Sequence, residues 1–150
     1  MPLLPVLHQK QRRQADCLGA CAAMVLHYLQ VPIQYERLLR LLKTQAAGTV
    51  FGNLRYLETL GLSVQIGYGD IETLRSHLEI GLPCIIAVQT GMWSYWTEDT
   101  SHAVVVIGIE DDRIYFHDPD LDSGPKLLAV TEFEMAWIEQ KYLYAVVGLE

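Results

Sequence analysis

The chain changes its hydrophobic rhythm halfway along. Residues 17–30 (CLGACAAMVLHYLQ) are largely apolar on every face, the pattern of a buried helix. Asp16 stands before them as an N-cap, and Pro32 ends the helix. Residues 34–43 (QYERLLRLLK) set leucines at 38, 39, 41 and 42 among charges and predict an amphipathic helix. Gly48 and Gly52 bracket a turn, and residues 53–60 (NLRYLETL) predict a third helix closed by Gly61. Residues 62–66 (LSVQI) alternate as a strand does. Residues 70–80 (DIETLRSHLEI) predict a helix that starts on the Asp70 cap and stops at Gly81.

Beyond Gly81 the pattern turns β-branched and aromatic. Strands are predicted at 84–89, 102–109, 113–117, 126–130 and 142–147, separated by Gly, Pro and Asp turns. The link Glu110-Asp111-Asp112 is short enough for a hairpin. A helix opened by a Thr131 cap is predicted over 131–138. Helices first and a mostly antiparallel sheet afterwards make an α+β arrangement. There is no internal repeat, low-complexity segment or linker, and 150 residues suit one domain over 1–150.

Composition narrows the function. Half the residues are hydrophobic (51%) and 19% are charged, enough for a substantial core. The formal net charge of −7 opposes nucleic-acid binding, which needs basic surface to displace phosphate counterions. Lys10, Arg12 and Arg13 are too short a cluster to reverse that and read as a solvated face. No apolar run approaches the roughly 20 residues of a membrane span. The opening segment, Met1 to His8, lacks a basic leader and carries two prolines, so it does not read as a signal peptide. Three cysteines, Cys17, Cys21 and Cys84, argue against a secreted disulfide scaffold and for a reducing, cytoplasmic setting. Their spacing does not suit zinc, and His8, His27 and His77 have no companions at ligand spacing, so neither a metal nor another cofactor is expected.

Chemistry gathers at three points. Cys17 opens a buried helix, where backbone N–H groups favour a thiolate. His102 begins the strand HAVVVIGI, so its side chain can stand at the sheet's end. The following strand finishes at His117, with Asp118 and Pro119 directly after it. Two antiparallel strands joined by a tight turn bring His102 and Asp118 to one edge, and an imidazole pinned by a carboxylate presents its other nitrogen to a thiol. Gln11, six residues before Cys17, would join the Cys17 N–H as a donor to a developing oxyanion. Gln9 and Gln14 lie close enough that spacing alone does not choose among the three. Cys21, one turn beyond Cys17, and Cys84 read as core, and His117 as facing away from the site.

The segment Gln11-Arg12-Arg13-Gln14-Ala15-Asp16-Cys17-Leu18-Gly19-Ala20-Cys21-Ala22-Ala23-Met24 resembles the active-site helix of the double-glycine leader peptidases. These are papain-like domains found fused to bacteriocin-exporting ABC transporters and as free-standing relatives. The block from His102 to Ile109 is similar to the family's histidine strand, and Asp118-Pro119 to its third block. The resemblance spans nearly the whole chain. It implies a papain-like cysteine peptidase fold and a thiol hydrolase, with Gln11 as oxyanion donor, Cys17 as nucleophile, His102 as base and Asp118 as the residue orienting His102. It also implies a peptide or protein substrate, cut after a Gly-Gly type site. The chain departs from the family in placing Leu18 directly after the nucleophile and Gly19 next, where the family usually has glycine first. It carries no Walker-type phosphate loop and no membrane helix, so a transporter partner would be encoded separately.

Residues 91–99 (GMWSYWTED) place Trp93, Tyr95 and Trp96 just before His102. They would either wall a substrate groove or pack the loop onto the sheet. Glu98 and Asp99 at its end would favour a basic or N-terminal group on a ligand. Three other functions fit the same residues: a catalytically silent peptide-binding module of this fold, a papain-like cell-wall amidopeptidase, and an acyl transferase using the same triad.

Overall fold

A computed structural model describes residues 3–150; Met1 and Pro2 of the opening segment lie outside the described residues. Helix α1 runs over Cys17–Tyr28 and α2 over Tyr35–Leu41. A run of 3-10 turns, Phe51–Leu60, stands where a third helix was expected. Then come β1 (Leu62–Tyr68), α3 (Ile71–Glu79), β2 (Cys84–Gln89), β3 (Ser101–Glu110), β4 (Arg113–His117), β5 (Lys126–Ala129), α4 (Val130–Ile138) and β6 (Leu143–Leu149). The strands form one sheet in the order β1-β6-β2-β3-β4-β5, and every neighbouring pair is antiparallel.

The sheet is covered on both faces, which explains why β2, β3 and β6 read as continuous apolar runs. Ala103, Val105 and Ile107 of β3 face one core with Leu18, Cys21, Met24 and Val25 of α1. Val104 and Val106 face the other with Leu74 and Leu78 of α3 and Phe133 and Trp137 of α4. The central strand is therefore anchored from two sides, and residues at its end inherit that rigidity.

Several expected boundaries move for local reasons. Helix α1 ends at Tyr28, short of Pro32, because Gln30 takes the left-handed conformation (φ 62°) and turns the chain first. The Asp70 cap forms as expected, with its carboxylate accepting from the Thr73 N–H. The Asp16 cap does not: its carboxylate turns back to the Arg12 and Arg13 N–H groups, at 3.2 and 2.9 Å, and to the Tyr35 hydroxyl. Thr131 is no cap either, since α4 begins one residue earlier and its N-cap position is Ala129. Glycine after Leu18 has a packing reason: a Cβ on Gly19 would lie 2.2 Å from Leu39 Cδ2 of α2.

Candidate active site

Cys17 is the first residue of α1, with helical dihedrals (φ −57°, ψ −44°), so Leu18 in place of glycine leaves the local backbone helical. The thiol is half-buried, whereas Cys21 and Cys84 are fully buried; all three are free. Burial pushes the Cys21 thiol well above its ordinary range and raises that of Cys84 as well.

His102 sits at the end of β3, paired with Val88 of β2, and is 7% exposed. The β3–β4 hairpin turns tightly after Glu110, which pairs with Arg113, with Asp111 in the left-handed region (φ 54°). This returns the chain alongside β3 and delivers Asp118, which is fully buried, to the same edge. The His102 Nε2–H donates to Asp118 Oδ1 at 2.6 Å. That bond fixes the tautomer and leaves Nδ1 for the thiol. Cys17 borders the same two clefts as His102, and its charge favours the protonated ring.

The carboxylate is held from four directions. Besides His102, it accepts from the Asp120 N–H at 3.0 Å, the Tyr95 hydroxyl at 2.6 Å and the Trp96 indole N–H at 3.0 Å. Pro119 sits inside a turn closed by the Leu121 N–H on the Asp118 carbonyl, at 3.0 Å, and proline's fixed φ suits that turn. Burial alone would push the Asp118 carboxyl up. Hydrogen bonds from His102, Tyr95 and the Asp120 N–H, with the His102 charge, hold it below its usual range instead. Burial likewise works against a charged His102. Asp118 and Cys17 together outweigh it and lift the imidazole from 6.5 to about 9.

Gln11 is brought in by an N-terminal strap. The Leu4 N–H donates to Ile107, the His8 ring to Leu121 O, the His117 ring to Val6 O, and the Gln11 N–H to Pro119 O. The last bond, 2.8 Å long, ties Gln11 to the residue after Asp118. Its amide Nε2 donates to Arg13 O at 3.0 Å and Gln14 O at 3.2 Å, so an arriving oxyanion must displace one of these carbonyls. Gln14 also borders the cysteine, while Gln9 lines a separate groove beside Ala23, Leu26 and His27 of α1. His117 is engaged by the strap through Val6 O, and its ring meets His8 edge-on. Sequence spacing gave no sign of that histidine pair.

Cys17 and His102 stand between two clefts. One, of about 440 Å³, is bordered mostly by small residues, among them Ala46, Ala47, Gly48, Ala87 and Ala103. The other, of about 510 Å³, runs past Gln11, Arg13, Tyr95, Trp96, Glu98 and Asp120. Trp93 borders neither: it is 2% exposed and packs on Phe116 and Phe133, the loop-packing arrangement. Asp99 is occupied by the Gln89 side chain and the Gly91 N–H. No group of three or more potential metal ligands occurs among the described residues.

A helix-borne thiol beside an imidazole held by a buried carboxylate is the arrangement of a papain-like cysteine peptidase. Comparison with known proteins gives the family: residues 6–145 match the Peptidase C39 family, and the chain belongs to it. It is 30% identical over 128 residues to the lactococcin-G-processing and transport ATP-binding protein LagD of Lactococcus lactis, covering 85% of this chain and 17% of that protein. The chain thus spans about a sixth of the length of that curated relative. The fold is shared with a putative C39-like peptidase from Bacillus anthracis (TM-score 0.81, 18% identity, 99% and 97% of the two chains). It is shared equally with a double glycine motif protease from an AMS/PCAT transporter, solved with its leader peptide (TM-score 0.79, 20% identity, 99% and 94%).

Proposed function

We propose that this chain, acting as one domain over 1–150, cleaves leader-type peptides after a pair of small residues through a Cys17–His102–Asp118 triad. The observation that carries the reading is the 2.6 Å bond from His102 to a fully buried Asp118, with Cys17 bordering the same clefts as His102. His102 takes the thiol proton, and the sulfur attacks the scissile carbonyl. Collapse of the tetrahedral intermediate breaks the C–N bond, and His102 returns the proton to the leaving amine. Water, deprotonated by the now neutral ring, then cleaves the thioester and regenerates the thiol. The Cys17 N–H and the Gln11 amide serve as oxyanion donors.

The cleft beside Cys17 supports this substrate class. Where Ala46, Ala47, Gly48, Ala87 and Ala103 line it, little side chain fills the cleft and a substrate's main chain can lie close, which suits residues without side chains. LagD, by its name, processes and transports, and the transporter protease was solved with a leader peptide. A membrane transporter is the corresponding partner, and the cytoplasm is the compartment that keeps Cys17 reduced. No helix among the described residues is long and apolar enough to cross a membrane.

The test is mass spectrometry of synthetic leader peptides carrying Gly-Gly before a short cargo. Wild type should cut after the second glycine, and Cys17→Ala should bind the peptide without cutting it. Cleavage by Cys17→Ala at the wild-type rate would sink the mechanism.

A further inference from the structure

We propose that Tyr95 and Trp96 are positioning residues that act on the reaction through Asp118, although both border the cleft beside Cys17 as a substrate wall would. The inference rests on the triad proposed above and adds to it the group that sets the triad's geometry.

Both side chains spend their polar ends on one atom. The Tyr95 hydroxyl and the Trp96 indole N–H donate to Asp118 Oδ2, while Oδ1 accepts from His102 and the Asp120 N–H. A carboxylate offers about four lone-pair sites, and here four donors occupy them. It cannot rotate about its terminal bond without breaking two of the four, so the direction in which it holds His102 is set from behind.

The loop that carries the donors is itself anchored. The Tyr95 ring stacks on buried Trp93 at 5.6 Å, and Lys126 of β5 places its ammonium 4.3 Å from the centre of the Tyr95 ring. At the loop's base, the Thr90 hydroxyl donates to Glu98 O at 2.7 Å. The Trp96 ring lies 4.8 Å from the His102 ring, covering the side of the imidazole next to its bond with Asp118. Burial and the neighbouring Asp118 charge push the Tyr95 hydroxyl far above its ordinary range, so it stays a donor at every working pH.

A substrate wall and a positioning residue fail differently. Removing a wall raises KM; removing a donor to Asp118 lowers kcat and changes how His102 titrates. Tyr95→Phe deletes only the hydroxyl, and Trp96→Phe deletes the N–H while keeping an aromatic ring. Each should lower kcat about tenfold to a hundredfold, the range for losing a hydrogen bond to a charged group, with KM within about twofold. Each should also shift the His102 titration midpoint, read by NMR of the imidazole without any substrate, whereas the loss of a substrate wall leaves it in place. In an Asp118→Asn background, Tyr95→Phe should add little further loss, because the atom through which it acts has already changed.

A raised KM with an unchanged His102 midpoint, or full additivity with Asp118→Asn, would overturn the proposal. The NMR arm separates this proposal from the function it rests on. A midpoint that shifts in a protein that cuts no peptide refutes the peptidase reading alone; a midpoint that stays put refutes the positioning role, whatever is cut.

Discussion

Replacing Asp118 by asparagine changes the site's charge without changing its shape, and the consequence can be worked through. In the folded protein His102 titrates near 9 rather than 6.5, a rise of two and a half pH units against a burial effect that acts the other way. At 1.36 kcal/mol per pH unit this is about 3 kcal/mol in favour of the protonated ring. The folded value exceeds the unfolded one, so the stabilisation is fully present below pH 6.5 and is lost as pH rises through 9. Asparagine keeps one acceptor oxygen, which must face the His102 Nε2–H and the Asp120 N–H to preserve them. Its NH2 then meets the Tyr95 hydroxyl, which can accept, and the Trp96 N–H, which cannot. One buried donor is left unpaired, at a cost of about 1–3 kcal/mol. The variant should therefore be less stable than wild type at pH 6 by about 3 kcal/mol or more, and the gap should narrow by pH 10. Urea melts at the two pH values measure the gap, and imidazole NMR locates the His102 midpoint, expected well below 9 in Asp118→Asn, where Cys17 alone is left to oppose burial. Turnover should fall less than in His102→Ala, since the amide oxygen still holds the ring. A gap that does not change with pH, or a variant His102 that still titrates near 9, would refute the electrostatic account.

Three further outcomes follow from particular contacts. Gln11→Ala should cost about a hundredfold in kcat, the effect of removing one oxyanion donor, and steady-state cleavage rates measure it. Trp93→Ala should destabilise the fold by about 3–5 kcal/mol in urea melts, because it empties the contact with Phe116 and Phe133. Gly19→Ala should cost about 1–2 kcal/mol in the same assay, because the new methyl drives Leu39 Cδ2 out of its position against α1.

The parts of this molecule legible in the sequence are those written in local pattern. The strand boundaries at 84–89 and 113–117 coincide with β2 and β4: two-sided burial makes β2 a continuous apolar run, and Asp-bearing turns flank β4. The pairing of His102 with Asp118 was legible because a tight hairpin converts sequence spacing into register. The caps at Asp16 and Thr131 were misread for different reasons: α4 begins a residue before Thr131, whereas at Asp16 an N-cap pattern says that an oxygen is available, not which donor will win it. At Asp16 the Arg12 and Arg13 N–H groups and the Tyr35 hydroxyl take the carboxylate, and Tyr35 reaches it only because α2 folds across α1.

The same limit governs the residues behind the triad. Tyr95 and Trp96 stand 23 and 22 positions before Asp118, in a loop whose aromatic and polar content fits either a groove wall or a packed lid. What separates the two readings is where the hydroxyl and the indole N–H point, and that depends on Trp93 pulling the loop down onto Phe116 and Phe133. A buried carboxylate must find donors for every lone pair or give up its charge. The hairpin puts Asp118 where His102 and the Asp120 N–H fill one oxygen, and the second oxygen remains to be satisfied by some other element. The requirement for two more donors therefore follows from the site's own chemistry once Asp118 is known to be fully buried. Their identity follows only from the fold.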